Sequence, residues 1–151
     1  MQINDEPYVF VHALHWRRQG TMLVMAQRHG LLSMEEFDAQ NDAHQWRIGR
    51  NGEIFTNIRG ERRYIHHMDE CATVKISRES SGGWAFDALG EHPYKYRVVP
   101  RYCPSFGLRS TLGSRTVGLE TVWYNDDSNA WYILPYRLLT ESRRTALRPM
   151  S

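Results

Sequence analysis

The chain of 151 residues is poor in cysteine and has no long uninterrupted apolar run. Its two cysteines, Cys71 and Cys103, cannot form a disulfide framework, and we expect buried free thiols, although one bridge is possible. A membrane-spanning helix needs about 18 consecutive apolar residues, so no membrane partner is predicted. Residues 1–7 lack a basic start followed by an apolar stretch, which predicts a cytoplasmic protein without a secretory signal.

The sequence also lacks a strong charge of either sign and the common catalytic motifs. Its net charge is +2, whereas nucleic-acid binding usually needs a clustered basic face, so no nucleic-acid partner is predicted. No Gly-x-Ser-x-Gly, P-loop or Gly-x-Gly-x-x-Gly motif occurs. The pair His12 and His15 would point to opposite faces of a strand, with no acidic ligand nearby. We therefore expect no metal, no cofactor, no catalytic residue and no enzyme activity.

Tryptophan, by contrast, occurs in a regular pattern. Trp46, Trp84 and Trp131 each open a short apolar segment, and they are 38 and 47 residues apart. A polar or glycine-rich turn precedes each of them, and another turn and an alternating strand follow the first two. A period of about 40 residues with repeated elements indicates an internal repeat.

Twelve short strands with period-2 alternation and no convincing helix can be assigned along the chain. Three copies of four strands favour an all-β β-trefoil, in which six strands close a barrel and remove the exposed sheet edges. In this prediction each copy contributes one buried tryptophan to a shared core. The domain spans 1–139, with repeats at about 7–52, 53–92 and 93–139, and 140–151 is predicted to be a flexible basic tail.

One resemblance is to the ricin-B-type lectins, β-trefoils with a tryptophan strand at the end of each copy. It implies carbohydrate binding through an aspartate and an aromatic ring in each active copy. The chain departs from their Gln-x-Trp motif, since Gln45 directly precedes Trp46. The candidate carbohydrate residues are Asp42, Trp46, Asp87 and Asp126, each aspartate being at the same time a common turn residue.

A second resemblance is to the mycocypins, mushroom β-trefoil inhibitors of cysteine proteases. It covers about a quarter of the chain and is carried by residues 46–56 and 131–136. The resemblance implies that two long loops, at 15–20 and 35–44, fill a papain-like cleft. The loop residues so assigned are His15, Trp16, Arg17, Arg18, Gln19, Gly20, Glu35, Glu36, Phe37 and Asp38.

The same resemblance places a second inhibitory loop at residues 59–63, which includes Gly60, Glu61 and Arg62. An exposed arginine suits an acidic, trypsin-like pocket. The predicted function is therefore protease inhibition, directed at a papain-like or trypsin-like enzyme. A carbohydrate-binding lectin and an interaction scaffold without catalysis are the alternatives, so the predicted partner is a protease or a glycan.

Overall fold

A computed structural model describes residues 3–67, 74–80, 82–122 and 127–140. It contains twelve strands: β1 Tyr8–His12, β2 Leu23–Arg28, β3 Leu31–Glu36, β4 Arg47–Ile48, β5 Ile54–Ile58, β6 Glu61–His67, β7 Val74–Ser77, β8 Trp84–Ala88, β9 Lys95–Pro100, β10 Phe106–Arg109, β11 Gly118–Thr121 and β12 Ala130–Pro135. Two helices, α1 Ala13–Gln19 and α2 Tyr136–Thr140, and two 3-10 helices, Asp42–His44 and Asp127–Asn129, complete it.

The first and fourth strands of each four-strand copy close into a six-stranded barrel. β1 pairs with β12, β12 with β9, β9 with β8, and β4 with β5, all antiparallel. Two backbone contacts complete the ring: Tyr8 and Trp46 exchange hydrogen bonds of 2.7 and 2.9 Å, and the Trp84 N–H donates to the Gly52 carbonyl at 2.9 Å. The remaining strands form the hairpins β2–β3, β6–β7 and β10–β11.

The three repeated tryptophans occupy equivalent places in the core. Trp46, Trp84 and Trp131 are at most 1 % exposed and belong to one apolar cluster. Each indole N–H donates to a backbone carbonyl in the second strand of its own copy, at 2.9–3.0 Å. The acceptors are the carbonyls of Met25, Ile65 and Leu108. The all-β class, the twelve strands and the threefold repeat are therefore confirmed, and the fold is a β-trefoil.

Two helices flank the barrel where none was predicted. Residues 15–19 belong to α1 rather than to a loop, because Ala13 to Gln19 is rich in helix-forming side chains and Gly20 ends the helix at φ 67°. β12 ends at Pro135, and α2 follows directly, although no helix was predicted there.

Three further expectations concern smaller details. Glu35 and Glu36 close β3 instead of starting a loop. Cys103 is disulfide-bonded, so the free thiol expected there is wrong, while Cys71 lies outside the described residues. The predicted tail lies outside them too, except for Thr140 at the end of α2.

Candidate binding sites

The first predicted inhibitory segment is only partly available to a partner. His15 is 1 % exposed, and its Nδ1 lies 2.6 Å from Nδ1 of His12, which is itself fully buried. Trp16 is half-buried against the apolar cluster on the outer face of β1 and β12. Arg17, Arg18, Gln19 and Gly20 are exposed. The helix therefore offers its C-terminal end to solvent but not its histidine.

The two buried histidines form a hydrogen-bonded pair, which strand geometry alone did not predict. The turn from β1 into α1 brings the rings together, with centroids 4.8 Å apart. Nε2 of His12 lies 2.8 Å from the Ser128 carbonyl, which can only accept. In the neutral pair His12 therefore donates through Nε2, and His15 donates from Nδ1 to Nδ1 of His12. Burial and the nearby Arg115 lower the pKa of His15, which favours this neutral form.

A polar network fixes the second predicted inhibitory segment. Arg28 binds the Glu35 carboxylate through two hydrogen bonds of 2.6 and 2.9 Å. The Asp38 backbone N–H donates to Nδ1 of the buried His44, so Nε2 of that ring donates to Glu35 at 2.9 Å. The hydrogen bond from Arg28 outweighs desolvation, and together with His44 it lowers the pKa of Glu35 to about 2. Glu36 and Asp38 are exposed, and Phe37 is half-buried.

The third predicted segment is a two-residue hairpin turn between β5 and β6. Arg59 and Gly60 both have positive φ, at 53° and 80°. Glu61 forms an ion pair with Arg63. The guanidinium of Arg62 lies 4.1 Å above the centre of the Phe55 ring, a cation–π arrangement. Gly60, Glu61 and Arg62 are thus exposed as predicted, but Arg62 lies along the barrel surface.

The carbohydrate candidates occupy three different environments. Trp46 is fully buried, so it cannot be a stacking surface, and that assignment is wrong. Asp87 is exposed on β8, and Asp126 lies outside the described residues. Asp42 lines a pocket of about 170 Å³ at the open end of β4 and β5. The other lining residues are Pro7, Gln45, Arg47, Thr56 and Asn57.

The Asp42 pocket collects complementary hydrogen-bonding groups. A carboxylate, two amides, a hydroxyl and a guanidinium line it, whereas Pro7 is its one apolar lining residue. Two local hydrogen bonds hold its wall: the Asn41 side-chain oxygen accepts from the Ala43 N–H at 2.9 Å, and the Gln45 N–H donates to the Asp42 carbonyl at 3.1 Å. Sequence reasoning missed Thr56 and Asn57 because the β4–β5 pairing brings them beside Asp42, and it missed Gln45 because it did not predict the 3-10 helix that Gln45 ends.

Within the described ranges, no group of three or more histidine, cysteine, aspartate or glutamate side chains is arranged to hold a metal ion. None of the helices in the described part of the chain is long and apolar enough to cross a membrane.

The fold defines the chain as a β-trefoil, and three solved structures share it. No family model matches the chain, and no curated protein does. A GlcNAcα1-4Gal-releasing endo-β-galactosidase from Clostridium perfringens aligns over 85 % of this chain at 14 % identity, with a TM-score of 0.63. GalNAc-T7 with UDP, GalNAc and Mn²⁺ aligns over 89 % at 8 % identity, with a TM-score of 0.60. The chain covers only 32 % and 23 % of those two proteins.

The third similar structure is ThreeFoil, a designed protein with threefold symmetry. It aligns over 84 % of this chain and 97 % of its own length, with 14 % identity and a TM-score of 0.59. At these identities the three likenesses establish the fold. Because ThreeFoil is covered almost completely, the match extends over all three repeats of a symmetric protein.

Proposed function

We propose that the chain is a non-catalytic carbohydrate-binding domain whose sugar site is the Asp42 pocket. The observation that carries the proposal is the convergence of one carboxylate and two amides, from Asp42, Gln45 and Asn57, in a single small cavity. Such groups accept from and donate to neighbouring hydroxyls of a sugar ring. Placed polar groups of this kind fix the orientation of a small ligand in its site.

Two further observations support a sugar as the ligand. The endo-β-galactosidase and the GalNAc-bound GalNAc-T7 are both named for sugars, and both contain a part similar to this chain. The pocket wall is fixed by local hydrogen bonds before any ligand arrives, so little ordering entropy is lost on binding.

Protease inhibition stays a prediction, and the structure gives it less support. His15 is buried, and residues 15–19 of the expected first loop are helical, so they do not form an extended inhibitory loop. The exposed tip at Arg59 and Gly60 is the best remaining contact for a protease. A scaffold that binds neither ligand is the third candidate.

A glycan array followed by calorimetry on the best neutral oligosaccharide tests the proposal. We expect saturable binding by the wild-type chain and about a tenfold loss for Asp42→Asn, because hydrogen bonds to a charged group contribute about 1.5 kcal/mol or more. Asp87→Asn removes the same charge from the exposed face of β8 and should leave the affinity unchanged.

Parallel titrations against papain and trypsin separate the alternatives. Absence of saturable glycan binding at micromolar protein would refute the carbohydrate site. Inhibition of either protease under those conditions would establish the inhibitor function instead. Equal losses for Asp42→Asn and Asp87→Asn would place the sugar outside the pocket.

A further inference from the structure

Two hairpin turns from different repeats line one cleft. The β2–β3 turn has His29 and Gly30 at its tip, and the β5–β6 turn has Arg59 and Gly60. Both turns border a cleft of about 660 Å³. The cleft and the Asp42 pocket share no lining residue, although β5 contributes residues to both. The cleft therefore lies at a junction between the first and second copies of the trefoil.

The cleft is strongly basic although the whole chain is nearly neutral. Its titratable lining residues are Arg28, His29, Arg59, Glu61, Arg63 and Arg78. Arg28 is paired with Glu35, and both Arg63 and Arg78 share the single carboxylate of Glu61. Four guanidinium groups thus face two carboxylates, which leaves an excess of positive charge.

Arg59 contributes one of those two excess charges, and Arg63 and Arg78, which share one carboxylate, contribute the other. Arg59 forms no salt bridge with any residue in the described ranges, and its side chain is exposed at the turn. A guanidinium offers five N–H donors in a planar fork, which binds oxyanions through paired hydrogen bonds. The cleft therefore contains more hydrogen-bond donors, on its guanidinium groups, than the two carboxylates can accept from.

The backbone of the two turns is a second, independent observation. A two-residue turn with both φ values positive favours asparagine, aspartate or glycine. His29 and Arg59, at φ 54° and 53°, are the two non-glycine residues with positive φ in the described part of the chain. Both face the same cleft, at positions where a large side chain is conformationally unfavourable. Unfavourable backbone conformations of this kind are typical of functional sites.

We propose that this cleft binds the sulfate groups of an acidic glycan, with Arg59 as the principal contact. The chemistry it recognises is a tetrahedral oxyanion attached to a sugar, which a sulfate or a phosphate ester supplies. Duplex nucleic acid fits less well, because proteins that bind it present a basic patch or stripe clustered on one face, whereas three of the four arginines here are already paired with carboxylates. The site is additional to the Asp42 pocket and does not depend on it.

Calorimetry with a heparin-derived hexasaccharide tests the proposal, with the chemically desulfated hexasaccharide as the matched ligand. We expect Arg59→Asn to weaken binding of the sulfated ligand about tenfold. The same variant should unfold at the same or a higher temperature than the wild type, because asparagine suits the turn better. Arg101→Asn removes an equal charge from an exposed turn outside the cleft and should keep wild-type affinity.

The outcomes are distinct. Equal affinity for the sulfated and desulfated ligands, or unchanged binding by Arg59→Asn, would overturn the proposal. Tighter binding of a DNA duplex of similar charge would overturn it in favour of nucleic acid. A phosphorylated oligosaccharide that competes with the sulfated one supports the oxyanion site and identifies phosphate as a second source. Asp42→Asn should leave this binding intact, so failure of the neutral sugar site and failure of the acidic one are distinguishable.

Discussion

At the scale of single residues, the polar network around Glu35 is the best-defined electrostatic feature of the molecule. Its carboxylate accepts hydrogen bonds from Arg28 and His44 and is 23 % exposed. Because the pKa of Glu35 is lowered from 4.5 to about 2, the folded state favours the ionised form. The stabilisation is complete above pH 4.5 and is lost as the pH falls from 4.5 to about 2.

We predict that Glu35→Gln lowers the free energy of unfolding by about 1–3 kcal/mol at pH 7, because it removes the charge that Arg28 and His44 share. The difference from the wild type should shrink towards zero as the pH approaches 2. Urea denaturation at several pH values measures it. Glu36→Gln, at the exposed neighbouring position, should change stability little at any pH. A deficit for Glu35→Gln that persists at pH 2 would contradict the charge-based explanation.

The contrast between these neighbours shows what the sequence could and could not predict about individual side chains. Glu35 and Glu36 look alike in the sequence, and both were assigned to one exposed loop. The alternation of β3 gives them opposite faces, and the long Arg28 side chain reaches Glu35, although the strand register does not place these two residues opposite each other. Asp42 was a candidate by residue type, whereas Asn57 reaches the same pocket through strand pairing that local patterns do not specify.

At the scale of elements, the closest backbone approach is where the turn before β5 meets the start of β8. A Cβ atom on Gly52 would lie 2.1 Å from the Trp84 carbonyl oxygen, and one on Gly83 would lie 2.1 Å from that of Asn51. Both glycines also have positive φ, at 83° and 99°. The Trp84 N–H donates to the Gly52 carbonyl here, so this contact closes the barrel between the β5 and β8 ends.

We predict that Gly52→Ala costs about 2–4 kcal/mol of unfolding free energy, since it combines an unfavourable φ with a clash against backbone. Thermal denaturation followed by circular dichroism gives the shift. Gly90→Ala is the matched control, because Gly90 has φ 65° but nothing within 4 Å of the added Cβ. Gly90→Ala should lower the free energy of unfolding by about 1–2 kcal/mol, which is the cost of placing a residue with a Cβ atom at positive φ without any clash. Equal losses of unfolding free energy at the two positions would show that the close backbone contact at Gly52 does not contribute to the cost of the substitution.

The helices show why some elements were missed. β1 is Tyr-Val-Phe-Val-His, and every residue of it is buried. Tyr8 and Phe10 belong to the barrel core, whereas Val9 and Val11 belong to a second cluster on the outer face. A strand whose outward-facing residues are all apolar, here Val9 and Val11, indicates a layer that covers its outside. Here Trp16 of α1 and Leu139 of α2 pack against that outer face, so the strand itself contained the signal for the helices.

At the scale of the whole molecule, the repeated tryptophans were the strongest signal in the sequence and determined the fold prediction. Their spacing revealed the three copies, and the structure gives them one role: a buried ring and an indole hydrogen bond to the second strand of the same copy. The function could be predicted from the sequence much less well than the fold. A fold alone does not specify a ligand, and the polar residues that line the pocket and the basic cleft come from strands and turns whose side chains differ between copies.

The equivalence of the three copies leads to a final prediction. Trp46→Phe, Trp84→Phe and Trp131→Phe should each lower the free energy of unfolding by about 2–4 kcal/mol. Each removes ring volume from a core position at most 1 % exposed and deprives a buried carbonyl of its indole donor. Chemical denaturation measures the three losses, and agreement between fluorescence and circular dichroism tests whether the barrel unfolds as one unit. Trp16→Phe serves as the control, because Trp16 is only half-buried on the outer face, and it should cost about 1 kcal/mol or less. One core substitution with almost no effect on stability, beside two with large effects, would contradict this prediction. The three copies would then share their geometry but contribute unequally to the stability of the barrel.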